Sequence, residues 1–385
     1  MQAFPGVRSR LTRGPGRSVS NMPVDTARFP LTQHQNPATP EARAAIVAAP
    51  IFGKVFTDHM ARATWSHDAG WADRGIVPLA PLPIHPGATV LHYAKEVFEG
   101  LKAYRWADGS IHLFRPEKNA ARLAASADRV ALPALPEQDF LASVEALVVA
   151  DQAWVPDAAG ASLYLRPFVF GSEPNLLVEP SGTVEYVVTA SPVKAYLTSG
   201  AQGVSIWVPQ GQSRAFEGGT GEAKTGGNYA ASLLPTSQAH EHGCDQVLFL
   251  DAKHGRYIEE FGSMNVMAVT RDGTVITPRL SGTILRGITR LSIIELLRAE
   301  GREVIERDID IAELVDGAAS GDIAEVFACG TAAVVSPVAR LVSQTFDVTL
   351  GDGMAGPVTA GVRDRLVGIH YGTVEDTLGW MRRVV

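Results

Sequence analysis

Asp108-Gly109 sits between two strand-like runs, LKAYRW and SIHLFR, and constrains the first half of the chain more than any other feature. An Asp-Gly pair between alternating runs marks a tight turn, so the two runs pair as an antiparallel hairpin. Neighbouring segments carry the same signal. IFGKVFTDHMARATWS (51–66) alternates and is rich in aromatics, which reads as strand. ASLYLRPFVFGS and TVEYVVTASPV return to strand after two helical patterns, Lys118 to Asp128 and Gln138 to Ala150. Residues up to about 190 therefore predict an α+β unit on an antiparallel sheet. Pro192, Gly200 and Gly203 bracket a stretch of weak periodicity that predicts a linker. Beyond it come short strands, VSIWVP, QVLFLD, NVMAVT and TVITP, with helices predicted over Asn228 to Glu241, Gly287 to Glu300 and Ile311 to Ala318. Pro235 should kink the first of these.

Size and charge narrow the function. A chain of 385 residues with 46% hydrophobic content buries a large core and favours two domains over one. Its net charge of −7 supplies no basic surface for a phosphate backbone, so nucleic acid is not an expected partner. No apolar run approaches the ~20 residues that span a bilayer. Cys244 and Cys329 form neither a CxxC pair nor a disulfide framework, so a reducing compartment and no metal centre are expected. The first 24 residues hold Arg8, Arg10, Arg13 and Arg17 and no acid. That composition suits a transit peptide, a disordered bacterial leader or an early start, with Met22 as an alternative. Deleting the first 21 residues should leave activity intact.

The stretch EGGTGEAKTGGNYAASLLP places Lys224 among Gly218, Gly219, Gly221, Gly226 and Gly227. The phosphate-loop spacing GxxxxGK fails, because Gly219 is one residue too close and Ala223 stands where Gly218 would need a second glycine. Glycines around a lysine instead clear room for a flat ring to approach an amine that forms a Schiff base. Glu259 and Glu260 adjoin in a strand-like run, so one should be solvated and one buried. A buried carboxylate needs a cation, and a pyridinium nitrogen is one. Gly287-Ile288-Thr289 begins an amphipathic helix, where free amides favour an anion. Gly330-Thr331-Ala332 follows an apolar strand and offers further amides. Each feature alone has an ordinary structural explanation. Together, in this order, they are the parts a pyridoxal phosphate enzyme requires.

The chain resembles the branched-chain amino-acid aminotransferases of pyridoxal phosphate fold type IV. The matching motifs run from FGKVFTDHM through LHYAKEVFEGLKAYR, FRPEKNAARL, LYLRPFVFGSEPNLLV, KTGGNYAAS, IEEFGSMN, GTILRGITR and CGTAAVVSPV to IHYGTVEDT, covering residues 51–385. The resemblance implies a leader over 1–50, a small α/β domain over 51–191, a linker over 192–203 and a larger cofactor domain over 204–385 with a pseudo-barrel of strands. It implies that Lys224 is the Schiff-base lysine and proton carrier, Glu260 the partner of the pyridine nitrogen, Glu259 its solvated neighbour, and Tyr229 the partner of the phenolic oxygen. Arg122, Ile288, Thr289, Ser263 and Thr331 would hold the phosphate. Phe52, Phe98 and Tyr196 would line the substrate pocket, with Tyr93, Tyr164 and Arg166 supplying hydroxyls and a cation and Thr331-Ala332 holding the α-carboxylate. Tyr93, Leu176 and Val178 would reach the partner's site in a homodimer. Ala333 and Ser336 stand where some eukaryotic members carry a CxxC, which points to a bacterial cytoplasmic protein without thiol regulation there. The implied reaction is transamination of leucine, isoleucine and valine with 2-oxoglutarate. Lys224 and Glu260 would equally serve a D-amino-acid or (R)-amine transaminase or an aminodeoxychorismate lyase, and a non-catalytic cofactor-binding scaffold is the other alternative.

Overall fold

The computed structural model describes residues 25–194 and 202–385. Its strands are β1 (His59–Ser66), β2 (Gly70–Pro78), β3 (Glu96–Phe98), β4 (Leu101–Arg105), β5 (Ile111–Phe114), β6 (Ser162–Gly171), β7 (Thr183–Val193), β8 (Val204–Trp207) and β9 (Gln246–Leu250). They continue with β10 (Ile258–Phe261), β11 (Asn265–Thr270), β12 (Val275–Pro278), β13 (Val304–Arg307), β14 (Ile323–Gly330), β15 (Val334–Val342), β16 (Asp347–Thr349) and β17 (Met381–Arg383). The helices are α1 (Pro40–Ala48), α2 (Thr89–Tyr93), α3 (Pro116–Arg129), α4 (Glu137–Ala150), α5 (Gly226–Glu241), α6 (Ile288–Ala299), α7 (Ile311–Ser320) and α8 (Pro357–His370).

The hairpin forms as its turn chemistry demands. Gly109 takes φ +86°, Asp108 accepts from the Ser110 N–H at 2.9 Å, and β4 pairs antiparallel with β5. From it grows an antiparallel sheet in the order β17-β5-β4-β6-β7-β1-β2, with β3 beside β6. Leu123 of α3 and Phe140 and Leu147 of α4 join Leu163 and Tyr186 of the sheet in one buried cluster. The strand expected over 51–66 begins only at His59. Gly53, at φ +66°, turns the backbone out of the extended region before it.

The second sheet runs β10-β9-β8-β15-β14-β11-β12-β13. A further pairing of β10 with β11, at Glu260 and Asn265, closes its first six strands into a ring. Leu248, Phe261, Val266, Val326 and Leu341 fill the ring's core. The helix α5 continues through Pro235 as one element. The chain's last strand, β17, returns to pair with β5 of the first sheet.

Closure of the ring overturns one expectation. Ile258 pairs with Leu250 and Phe261 with Leu248, so Glu259 and Glu260 together oppose one residue. That is a β-bulge, and it suspends the alternation on which a solvated Glu259 depended. Both carboxylates are buried, Glu259 at 5% exposure and Glu260 at 4%.

Candidate active site

A cavity of about 290 Å³ lies between the two sheets. From the first come Phe98 at the end of β3, Arg122 on α3, Tyr164 and Arg166 on β6, and Phe52 from the segment before β1. From the second come Lys224 just ahead of α5, Tyr229 within it and Glu260 on β10. Ser263 from the β10–β11 turn, Ile288 and Thr289 at the start of α6, and Thr331 and Ala332 from the β14–β15 turn complete the lining. Tyr196 lies outside the described residues. Tyr93, Leu176 and Val178 stand on the surface instead, where the Tyr93 hydroxyl donates to the Leu176 carbonyl at 2.7 Å.

Backbone bonds fix Lys224 before its side chain is considered. Its N–H donates to Ser126 Oγ of α3 at 3.0 Å, and its carbonyl accepts from the Phe98 N–H at 2.9 Å. The amine donates to Tyr229 Oη at 2.5 Å and lies 4.6 Å from the centre of the Phe98 ring. Burial, reinforced by the Arg122 guanidinium, pushes Lys224 down to about 8. Burial also raises Tyr229 to about 12, so its hydroxyl keeps its proton.

Two buried ion pairs flank the amine. Arg122 grips Glu99 through Nε at 2.7 Å and Nη2 at 2.9 Å. Asn119 and the Gly100 N–H complete the shell of that carboxylate. On the other side Arg214 Nη2 meets Glu260 Oε1 at 2.6 Å, and Asn265 Nδ2 donates to Glu260 Oε2 at 3.1 Å. Burial pushes Glu260 up to about 7 against the opposing pull of Arg214. Burial raises Glu259 as well, and its Oε2 has no hydrogen-bond partner among the described residues. No local spacing marks Glu99, Asn119 or Arg214 as a member of these pairs. Their partners lie 23, 20 and 46 residues away, distances at which spacing gives no signal.

The start of α6 is built to receive an anion. Its N-cap, Gly287, offers no capping side chain, so the first amides of the helix stay without intrahelical partners. A Cβ on Gly287 would collide with the Asn265 side chain. Gly100 is equally constrained, because a Cβ there would meet the Tyr164 hydroxyl. The turn after β14 is strained: Val334 takes φ +63°, a region that costs a β-branched residue about 1–3 kcal/mol.

A buried amine near neutrality, a carboxylate held for a cation and uncapped amides for an anion suit a phosphorylated, aldehyde-bearing pyridine. Sequence comparison agrees. The model of the family described as amino-transferase class IV matches residues 96–341. The chain belongs to the class IV aminotransferases. A branched-chain-amino-acid aminotransferase of Mycolicibacterium smegmatis is 50% identical over 360 residues, covering 92% of this chain and 98% of that one. The crystal structure of the Escherichia coli branched-chain amino acid aminotransferase superposes with a TM-score of 0.70 at 30% identity, covering 80% of this chain and 97% of that one. The T.th. branched-chain amino acid aminotransferase, solved with pyridoxamine 5'-phosphate, gives 0.69 at 27% identity over 84% and 99%. This aminotransferase has the two-domain architecture of fold type IV, and pyridoxal phosphate is its cofactor. Among the described residues no group of His, Cys, Asp and Glu could hold a metal ion, and no helix is long and apolar enough to cross a membrane.

Proposed function

We propose that this aminotransferase moves the amino group of leucine, isoleucine and valine to 2-oxoglutarate, reversibly, giving branched-chain 2-oxo acids and glutamate. The observation that carries the reading is the cavity's composition on the substrate side. Phe52, Phe98 and Tyr164 form an apolar wall, and Arg166 stands at it with its guanidinium 4.8 Å from the Phe98 ring and 3.0 Å from the Tyr164 hydroxyl. Such a wall takes an aliphatic chain, and one cation within it takes the γ-carboxylate of glutamate.

Pyridoxal phosphate supplies the conjugated ring that accepts the electron pair left on the substrate's α-carbon. The chain's residues do the rest. Arg122, the amides of Ile288 and Thr289, and the Ser263 and Thr331 hydroxyls would hold the phosphate. Glu260 would keep a proton on the ring nitrogen. The Tyr229 hydroxyl would serve the phenolic oxygen. Lys224 Nζ, once neutral, would take the proton from the substrate's Cα and, in the reverse half-reaction, return it there. The amides of Thr331 and Ala332 orient the α-carboxylate.

Arg166→Met tests the substrate assignment, since it keeps the stem volume and drops the guanidinium. Losing a charge-assisted hydrogen bond from a partly buried site costs about 1.5–3 kcal/mol, roughly ten- to a hundredfold in catalytic efficiency. The glutamate half-reaction should lose that factor in single-turnover experiments, and the leucine half-reaction should not. Equal losses in both would show that another group reads the γ-carboxylate.

A further inference from the structure

The helix that carries Tyr229 begins without a cap of its own. Thr225, the N-cap of α5, makes no capping bond with its side chain, and no acid stands in the first turn. The first amides of the helix therefore need partners from elsewhere. One partner comes from the first sheet. Glu96, at the start of β3, accepts from the Gly226 N–H through Oε1. A Cβ on Gly226 would collide with that oxygen, so the bare backbone at Gly226 serves this carboxylate.

Alternation along β3 puts Glu96 on the same face as Phe98, with Val97 buried between them. Phe98 donates its N–H to the Lys224 carbonyl at 2.9 Å, and its ring lies 4.9 Å from that of Tyr229. One short strand thus grips the chain at two points just after the Lys224 side chain, the Lys224 carbonyl and the Gly226 N–H. Ser126 Oγ, on α3, holds a third, the Lys224 N–H. All three partners lie in the half of the molecule built on the first sheet, whereas the amine they place belongs to the other half. Pairing with β6, Glu96 opposite Phe170 and Phe98 opposite Phe168, ties the grip to the body of the first sheet. Burial raises the Glu96 carboxyl above its usual value, opposed in turn by the Gly226 amide, the Arg166 guanidinium, the Thr225 hydroxyl and the Lys224 amine. In its charged form it sits at the positive end of a 16-residue helix, where a charged acceptor makes a stronger bond than a neutral one.

We propose that Glu96 is a positioning residue for Lys224: it caps α5 from across the cavity and fixes the backbone from which the amine reaches the substrate's proton. The inference deepens the proposed role of Lys224 as proton carrier and rests on it. A proton carrier held off its line slows the transfer without weakening binding. The effect of losing Glu96 should therefore fall on kcat in both half-reactions, in contrast to Arg166, which distinguishes between substrates.

The test compares Glu96→Ala with the unsubstituted, pyridoxal phosphate-loaded enzyme. Glu96→Ala should lower kcat roughly ten- to a hundredfold with leucine and with glutamate alike, with KM changed about threefold or less. Hydrogen exchange followed by peptide mass should speed up by a similar factor in residues 222–232 and stay unchanged in β7. Glu96→Gln should recover most of both, because its amide oxygen accepts the same bond. Gly226→Ala breaks the contact from the helix side while keeping Glu96, and it decides the matter if Glu96→Ala does not fold. The double variant, Glu96→Ala with Gly226→Ala, should be no slower than the worse of the two single variants, since each removes the same contact. Unchanged kcat and exchange, a loss confined to KM, or faster exchange throughout β7 as well overturns the proposal. Losses that multiply in the double variant also overturn it. A wild-type protein that transaminates none of these amino acids defeats the functional reading instead, and the exchange comparison still decides whether Glu96 holds the Lys224 segment.

Discussion

A lysine that carries protons at neutral pH must give up its ordinary charge, and the surroundings of Lys224 take it most of the way. Burial and the Arg122 guanidinium bring the amine to about 8 from a usual value near 10.5. In cofactor-free protein, labelling of Lys224 by an aryl electrophile, followed by peptide mass, should therefore rise with pH and reach half its maximum near pH 8. A midpoint near 10 would mean that the amine is solvated. Lys224→Ala should abolish turnover and leave a folded protein, because Arg122 and the α6 amides do not depend on it. Glu260→Gln is expected to do more than slow the reaction. It removes one side of a buried pair with Arg214, a loss of about 3–5 kcal/mol, so the melting temperature should fall along with the rate. Unchanged melting would place Arg214's countercharge elsewhere. The sequence showed Lys224 and Glu260 through the glycines and the acid pair beside them. Arg214 and Glu99 were invisible in it, because an ion pair that forms only when segments 23 or 46 residues apart meet leaves no periodic trace.

At the scale of elements, three backbone segments line the cavity and, in the proposed reading, would meet the cofactor: the start of α6, the β10–β11 turn and the β14–β15 turn. Gly287 is the tightest point. A methyl group there must displace Asn265, which bonds Glu260 at 3.1 Å and the Leu285 carbonyl at 2.9 Å. Gly287→Ala should cost roughly tenfold or more in pyridoxal phosphate affinity, measured by fluorescence titration, with little change in helix content. Wild-type affinity would show that Asn265 can shift freely. The strongly patterned elements were legible beforehand, above all the β4–β5 hairpin and α3, where local turn chemistry and apolar spacing agree with the tertiary fold. Glu259 was misjudged because a bulge is a property of the strand pair and does not show in one strand's pattern. Strand β17 escaped notice for a related reason: three residues, MRR, gain strand geometry only by lying against β5.

For the whole molecule, the surface loops complete the account. Leu176, Leu177 and Val178 are 60%, 58% and 83% exposed beside Tyr93, an apolar patch that a monomer rarely leaves in water. In solution the chain should run as a dimer of 41.0 kDa protomers, and Val178→Asp should shift it toward monomer and lower activity together. Full activity in a monomeric Val178→Asp protein would show that each site is complete within one chain. The central claim is narrower: the cavity around Lys224 exchanges amino groups between branched-chain amino acids and 2-oxoglutarate. The most direct measurement gives purified, pyridoxal phosphate-loaded protein 2-oxoglutarate with L-leucine, L-isoleucine, L-valine or D-alanine and quantifies glutamate and 2-oxo acids by mass spectrometry. The account predicts glutamate and a branched-chain 2-oxo acid in equal amounts from the three L-amino acids, none from D-alanine, and none from Lys224→Ala. Glutamate formed from D-alanine but not from L-leucine, or the same product from Lys224→Ala, would contradict it.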